Sequence, residues 1–155
     1  MKAMSPSPLD PAELPELVCA CANLRRAARA LSRSYEDALA AVDLSSTQMT
    51  VLMFLGRQGP RALMQVADAL EMDRTSLYRA LRPLERRDLV RIRATADRRS
   101  KEVLLTVDGQ RHLARALPHW KKAQDRFLAS FGTSAWKELH GGLNKVVAVT
   151  RAAAS

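Results

Sequence analysis

Residues 97–102, "DRRSKE", place five charges in six positions, and an apolar, strand-forming segment, "VLLT", follows at once. Arg98, Arg99 and Lys101 offer cationic donors of the kind that bind phosphate oxygens, and a guanidinium does so as a two-pronged fork. Asp97 is the odd member of the group. Its carboxylate can hold a neighbouring guanidinium in a bidentate pair, or make a surface ion pair worth little. A second set of donors, Arg74, Thr75, Ser76, Tyr78, Arg79 and Arg82, lies upstream on a helical pattern. These groups bind; none of them makes or breaks bonds.

Residue types that do carry reaction chemistry are sparse. The chain has no Gly-rich phosphate loop, no G-x-S-x-G and no H-E-x-x-H, so an enzyme is not expected. His112 and His119 share a helical face and His140 stands on another helix, but no Cys or acidic partner has ligand spacing. Neither a metal nor a cofactor is expected. Cys19 and Cys21, two residues apart on a helix, point about 160° from one another and cannot bond without unwinding it. Near a helix start each gains some thiolate character, which suits oxidation, although small buried cysteines also simply pack.

The elements that must position these groups follow from periodicity. From Pro15 to about Val42, the residues Leu17, Cys21, Leu24, Ala28, Leu31, Tyr35, Ala38 and Val42 fall at alternating steps of four and three. A stripe that long needs a long partner, either another helix of the chain or a second subunit. "LSSTQM" starts the next helix, with Ser45 and Gln48 at capping-box spacing, and "GP" at 59–60 ends it. Residues 63–90 read as two short helices, the first with Val66, Ala67 and Leu70 inward. Asp73 caps the second, Leu77, Leu81 and Leu84 line its buried face, and Pro83 predicts a local bend or weakening.

"LVRIRA" and "KEVLLT" alternate with period two and form a hairpin with a loop at roughly 95–100. Val107 to Phe131 is helical again, with a kink expected at Pro118. Gly132 ends it, and Thr133 or Ser134 caps a last helix, within which Gly141 and Gly142 signal close packing or a weak point.

The charge is unevenly spread. The net charge is +9, and residues 57–101 hold 12 Lys and Arg against 6 Asp and Glu. The excess thus sits on the helix pair and the hairpin. Helix, turn, helix and then a basic hairpin is the order of a winged helix, in which the second helix presents residues to the major groove and the hairpin reaches backbone or minor groove. The fold expected is mostly α, an α+β winged helix with long helices before and after it. Its parts are a flexible tail at 1–13, the winged helix-turn-helix at 44–106, and helical segments at 14–43 and 107–155.

The segment "DRRSKEVLLT" resembles the Asp-x-Arg-x-x-x-Val-x-Leu-Thr wing signature of MarR-type transcription regulators, with Asp97 and Arg99 at the signature positions. "MDRTSLYRALRPLERRDLV" is similar to their recognition helix and the strand after it, and Asp88 stands where the family often has Gly. The resemblance implies a homodimer, its dimerisation region formed by the N- and C-terminal helices at 14–43 and 107–155, on a pseudo-palindromic double-stranded operator with half-sites about 10 bp apart. It further implies repression relieved by a small aromatic acid or by oxidation. Arg25, Met49, Met53, His119 and Trp120 are candidates to line an effector pocket, against ordinary core packing for the methionines and tryptophan. Peroxide-sensing members use tyrosines beside the thiol, whereas here the two tyrosines, Tyr35 and Tyr78, are distant in sequence. The alternative is a basic peripheral-membrane or non-specific nucleic-acid-binding protein without effector response. Met1 to Leu14 has no apolar signal segment and no run is long enough to span a bilayer, so no membrane and a cytoplasmic location are expected.

Overall fold

The computed structural model describes residues 19–95 and 100–154. The expected flexible tail at 1–13 and the wing residues Asp97, Arg98 and Arg99 lie outside the described residues. The chain divides into two units, residues 1–33 and 34–155. The described part of the first is the beginning of helix α1 (Ala20–Leu39), on which Cys21, Leu24 and Ala28, all on the expected stripe, are exposed.

The second unit holds the end of α1, a 3-10 turn (Ala40–Val42), α2 (Ser46–Gln58), β1 (Arg61–Ala62), α3 (Leu63–Ala69), α4 (Arg74–Arg86), β2 (Val90–Ala94), β3 (Lys101–Leu105), α5 (Val107–Phe131) and α6 (Thr133–Ala154). It is mostly helical with one small antiparallel sheet, the expected class. Helix starts follow the expected side-chain logic. Ser45 Oγ accepts from Gln48 N at 3.1 Å and Gln48 Oε1 accepts from Ser45 N at 2.9 Å, a complete capping box. Asp73 accepts from Ser76 N at 2.8 Å at the start of α4. α4 continues through Pro83 to Arg86, and α5 through Pro118 to Phe131.

Three expectations need correction. The stripe on α1 omits Leu39, which is its one fully buried residue. Gly132, not Thr133 or Ser134, stands before α6: its φ of 92° ends α5, and its carbonyl accepts the first α6 bond from Trp136 N at 3.0 Å. The hairpin is also part of a three-stranded sheet, ordered β1-β3-β2, with Arg61 opposite Val103. Two residues are too few to show alternation, so β1 leaves no periodic trace.

The core gathers one face from each element. Leu39, Val51, Leu52, Val66, Leu81, Leu84 and Val103 are completely buried. On α4 the buried residues are Leu77, Ala80, Leu81 and Leu84, steps of three, one and three that make one narrow stripe. Each buried leucine contributes roughly 1.5–3 kcal/mol, so this stripe fixes the rotation of α4 about its axis.

The ends of the short helices share one device. Asp43, Glu71 and Asp88 have φ of 51°, 51° and 52°, a left-handed conformation that favours Gly or Asn. After α3, Met72 N bonds Ala67 O at 2.9 Å; after α4, Leu89 N bonds Leu84 O at 2.9 Å and Asp88 N bonds Glu85 O at 2.9 Å. These are Schellman closures, and they turn the chain sharply before α4 and before the wing. An acidic residue at a helix C-terminus also faces the negative end of the helix dipole. Each of the three is answered by an arginine: Asp43 by Arg87, Asp88 by Arg91, Glu71 by Arg151.

Where β2, β3 and α5 meet, backbone atoms come unusually close. Thr106 caps α5 by accepting from Gly109 N at 2.9 Å, and Thr106 N donates to Leu89 O at 3.2 Å. A Cβ on Gly109 would lie 1.9 Å from that same Leu89 oxygen. α6 packs chiefly on the end of α5, where the Phe127 ring stacks on Phe131 at 5.1 Å and meets Trp136 edge-on at 5.6 Å. No α6 residue whose burial is described is buried, and its Leu139, Val146, Val147 and Val149 face solvent.

Candidate nucleic-acid interface

With the apolar stripe of α4 inward, the remaining residues must face out. Arg74, Thr75, Tyr78, Arg79 and Arg82 do so, and together with Lys101 of β3 they line one open cleft of about 590 Å³. Two elements far apart in sequence thus converge, because β3 runs antiparallel to β2 and brings Lys101 opposite Ala94. The Arg74 guanidinium sits 5.7 Å from the centroid of the Tyr78 ring, one helical turn on. That cation–π contact pre-orders the arginine at the helix N-terminus. Among the described residues no carboxylate lines this cleft, whereas four cationic side chains do.

Ser76 is placed differently from its neighbours. It is half-buried, and its Oγ donates to the Asp73 carboxylate at 2.6 Å while its N–H donates to the other carboxylate oxygen. These bonds hold the Asp73 carboxyl below the usual carboxylate range, the side-chain bond first and the backbone bond second. Ser76 therefore serves the cap of α4.

The wing is closed by Thr95 and Ser100. Thr95 N donates to Ser100 O at 3.0 Å, and the two hydroxyls meet at 2.5 Å. Lower down, Arg93 Nε bonds Glu102 across the strands at 2.5 Å. Asp97, Arg98 and Arg99, the expected tip, fall outside the described residues.

The other candidates are dispersed. Cys19 and Cys21 are both exposed. Arg25 belongs to the first unit. Met49 is 1% exposed and part of the core, with Met53 and Trp120 half-buried against it. His119 lines a cavity of about 270 Å³ with Lys122 and Arg126 of α5 and Ser34, Asp37 and Ala38 of α1. Nearby, Tyr35 bonds Gln124, and burial pushes its phenol up.

The sequence marks His112 only as sharing a helical face with His119. It is buried, and both ring nitrogens are engaged: Nε2 bonds Val42 O at 2.9 Å and Nδ1 lies 2.9 Å from Arg115 Nη2. A carbonyl only accepts and a guanidinium only donates, so the ring is neutral with its proton on Nε2. Arg87 Nη2, 3.3 Å from the same Nε2, is then a contact rather than a bond. Burial first, and the Arg87 and Arg115 charges after it, hold the imidazole pKa below its usual value, partly opposed by the Val42 carbonyl. Periodicity marks none of this, because the partners lie far apart in sequence.

Comparison with solved structures finds the same chain trace in a DNA complex. The M. tuberculosis transcriptional regulator MosR, solved with DNA, is 32% identical with a TM-score of 0.78, over 87% of this chain and 98% of that one. The chain belongs to the MarR family. The MarR family profile itself matches residues 42–100, from the 3-10 turn through the wing loop. The transcriptional repressor CouR, bound to a 23-mer DNA duplex, is 28% identical with a TM-score of 0.74, over 90% of this chain and 99% of that one. Bordetella bronchiseptica BpsR, whose DNA binding is regulated by 6-hydroxynicotinic acid, shares the fold at 22% identity and a TM-score of 0.72, over 81% of this chain and 96% of that one. A search of curated protein sequences finds no match.

As a MarR-family winged helix, the chain is a DNA-binding transcription regulator. The cleft lies on the second helix of the helix-turn-helix, the element that in this motif enters the major groove, and on β3. Among the described residues no single helix is long and apolar enough to cross a membrane.

Proposed function

We propose that the protein is a homodimeric repressor that reads a pseudo-palindromic operator with Arg74, Thr75, Tyr78, Arg79 and Arg82, while Arg98, Arg99 and Lys101 grip the flanking backbone or minor groove. The observation that carries this is the cleft of about 590 Å³, lined by cations and hydrogen-bond donors from both helix and wing. Arginines on α4 suit the paired acceptors of guanine, and Thr75 suits phosphate or base. Asp97 serves to orient a wing arginine. Ser76 contributes through the cap of α4.

Dimerisation is supported by apolar surface that the single chain leaves uncovered: Leu24 on α1, Leu117 and Phe131 on α5, and Leu139, Val146, Val147 and Val149 on α6. The helical segments at 14–43 and 107–155 supply that interface, and 44–106 the DNA-reading module. A two-fold dimer then sets half-sites about 10 bp apart.

Repression is relieved by a small aromatic acid or by thiol oxidation. For the first, the cavity beside His119 sets two cations, Lys122 and Arg126, which make no ion pair among the described residues, against one acid, Asp37, and so offers a net positive lining to a carboxylate. BpsR, with the same fold, responds to an aromatic acid. For the second, Cys19 and Cys21 are exposed in the single chain, and oxidation of either within the 14–43 segment would act on the dimer interface.

The test is a binding titration on the DNA upstream of the protein's own reading frame, with reduced protein, then with peroxide, then with hydroxylated aromatic acids. Selective binding by a dimer is expected. Release by peroxide that vanishes in the Cys19→Ser, Cys21→Ser double variant assigns the signal to the thiols. Release by an aromatic acid that vanishes in Arg126→Ala assigns it to the cavity. No selective binding even at low salt refutes the repressor.

A further inference from the structure

The recognition helix α4 is anchored at both ends by an arginine that meets a left-handed acidic residue from elsewhere in the unit. At its C-terminal end Arg87, the C-cap, donates to Asp43 O at 2.5 Å and to the Asp43 carboxylate at 3.3 Å, in the corner between the 3-10 turn and α2. At its N-terminal end the anchor comes from α6. Arg151 donates to Asp68 O at 2.6 Å and pairs with the carboxylate of Glu71, two residues before the α4 cap Asp73.

Several observations converge on Arg151. Asp68 lies in the last turn of α3, where carbonyls lack helical partners, and its own turn bond from Glu71 N is long, at 3.4 Å. The guanidinium supplies that carbonyl with a better donor and places a cation at the negative end of the helix. Glu71 occupies a backbone conformation that Gly or Asn would hold with less strain. Its carboxylate is what a Gly or an Asn could not supply. α6, for its part, packs chiefly on α5, so this contact reaches from an otherwise distant helix into the helix-turn-helix.

We propose that Arg151 is a positioning residue for operator recognition: through Glu71 and Asp68 it fixes the turn that aims the N-terminus of α4, and so makes the placement of α6 part of the DNA-reading geometry. The proposal rests on α4 being the reading helix. Arg151 itself does not touch DNA. A change in α6, whether from subunit association or from a ligand, is thereby felt at α4 without passing through the core.

The experiment is a double-mutant cycle on operator affinity with Arg151→Ala, Glu71→Gln, both together, and the charge swap Arg151→Glu with Glu71→Arg. Each single variant is expected to weaken selective binding about fivefold, equivalent to about 1 kcal/mol. The double variant should be no worse than either single, the swap should recover most of the loss, and the salt dependence should keep its slope. Circular dichroism at the assay temperature confirms that each variant is folded.

Unchanged affinity in the singles overturns the proposal, and so do losses that add in the double variant. A slope reduced by about one in Arg151→Ala, with tighter binding by Glu71→Gln, makes Arg151 a phosphate contact and also overturns it. If Arg151→Ala is unfolded, Glu71→Gln and the swap decide alone. If the wild type binds no duplex selectively, the repressor reading fails first and takes this one with it.

Discussion

Gly109→Ala is a one-methyl change that the junction of β2 and α5 has no room for. The new Cβ would lie 1.9 Å from Leu89 O and 2.9 Å from both Leu89 C and Leu105 Cδ1. The leucine side chain can rotate away; a backbone carbonyl cannot. Ordinary carbon–oxygen contact is about 3.3 Å, so α5 and the start of β2 must part by about 1.4 Å. That separation breaks the Thr106 N to Leu89 O bond, now 3.2 Å, and strains the cap from Thr106 to Gly109. Overpacking of this kind costs about 3 kcal/mol, at the upper end of the usual range, and the lost backbone bond about 1 kcal/mol more. For a chain of this size each kcal/mol lowers Tm by about 2–4 °C, so a fall of roughly 8–16 °C is expected. Thermal unfolding followed by far-ultraviolet circular dichroism, with urea unfolding for the free energy, measures it. A variant within about 1 kcal/mol of wild type refutes the close approach and with it the placement of the wing on α5.

Gly142→Ala is the opposite case, since nothing lies within 4 Å of its added Cβ and the position is mid-helix. It should stabilise by about 0.5–1 kcal/mol in urea unfolding; a loss instead means that a second chain packs there. The neutral, buried His112 makes stability fall with acid: its folded pKa lies below the unfolded value, so its contribution is complete above the unfolded pKa and is lost as pH drops through the folded one. His112→Gln should flatten the pH dependence of urea unfolding below about pH 6.5, and an unchanged slope would exonerate the histidine. Arg79→Ala should cost about 1–3 kcal/mol and relax preference at one base position, read by competition with single-base operator variants; a uniform loss makes it a phosphate contact. Arg99→Ala should lower the salt slope by about one for every sequence, and unchanged binding would take the wing off the DNA.

Much of the winged helix is legible from spacing, because its local signals act between residues one turn or one pleat apart. Leu77, Leu81 and Leu84 mark the buried face of α4, and Asp73 and Ser45 mark helix starts, since side chains four residues apart meet on any helix. Alternation alone finds β2 and β3, and the pairing Ala94 with Lys101 follows once the loop between them is counted. Asp88 shows the limit of such reading. It looks like a departure from a usual glycine, yet its φ of 52° is the left-handed conformation that glycine favours, held here by an acid that pairs with Arg91.

What the sequence determined by itself was local: where α2 and α4 begin, which face of α4 turns inward, where the positive charge gathers, and hence that a helix pair is followed by a basic hairpin. Tertiary structure alone decided the contacts between residues distant along the chain. It brought Lys101 into one cleft with Arg79, buried His112 between Val42 and two arginines, and joined Arg151 to Glu71 across 80 residues. It also chose Leu39 over its striped neighbours as the buried residue of α1. The physical reason is the same in each case. Hydrogen-bond periodicity makes near neighbours in sequence meet wherever the element lies, whereas a distant pair meets only after the core has fixed how the elements stack.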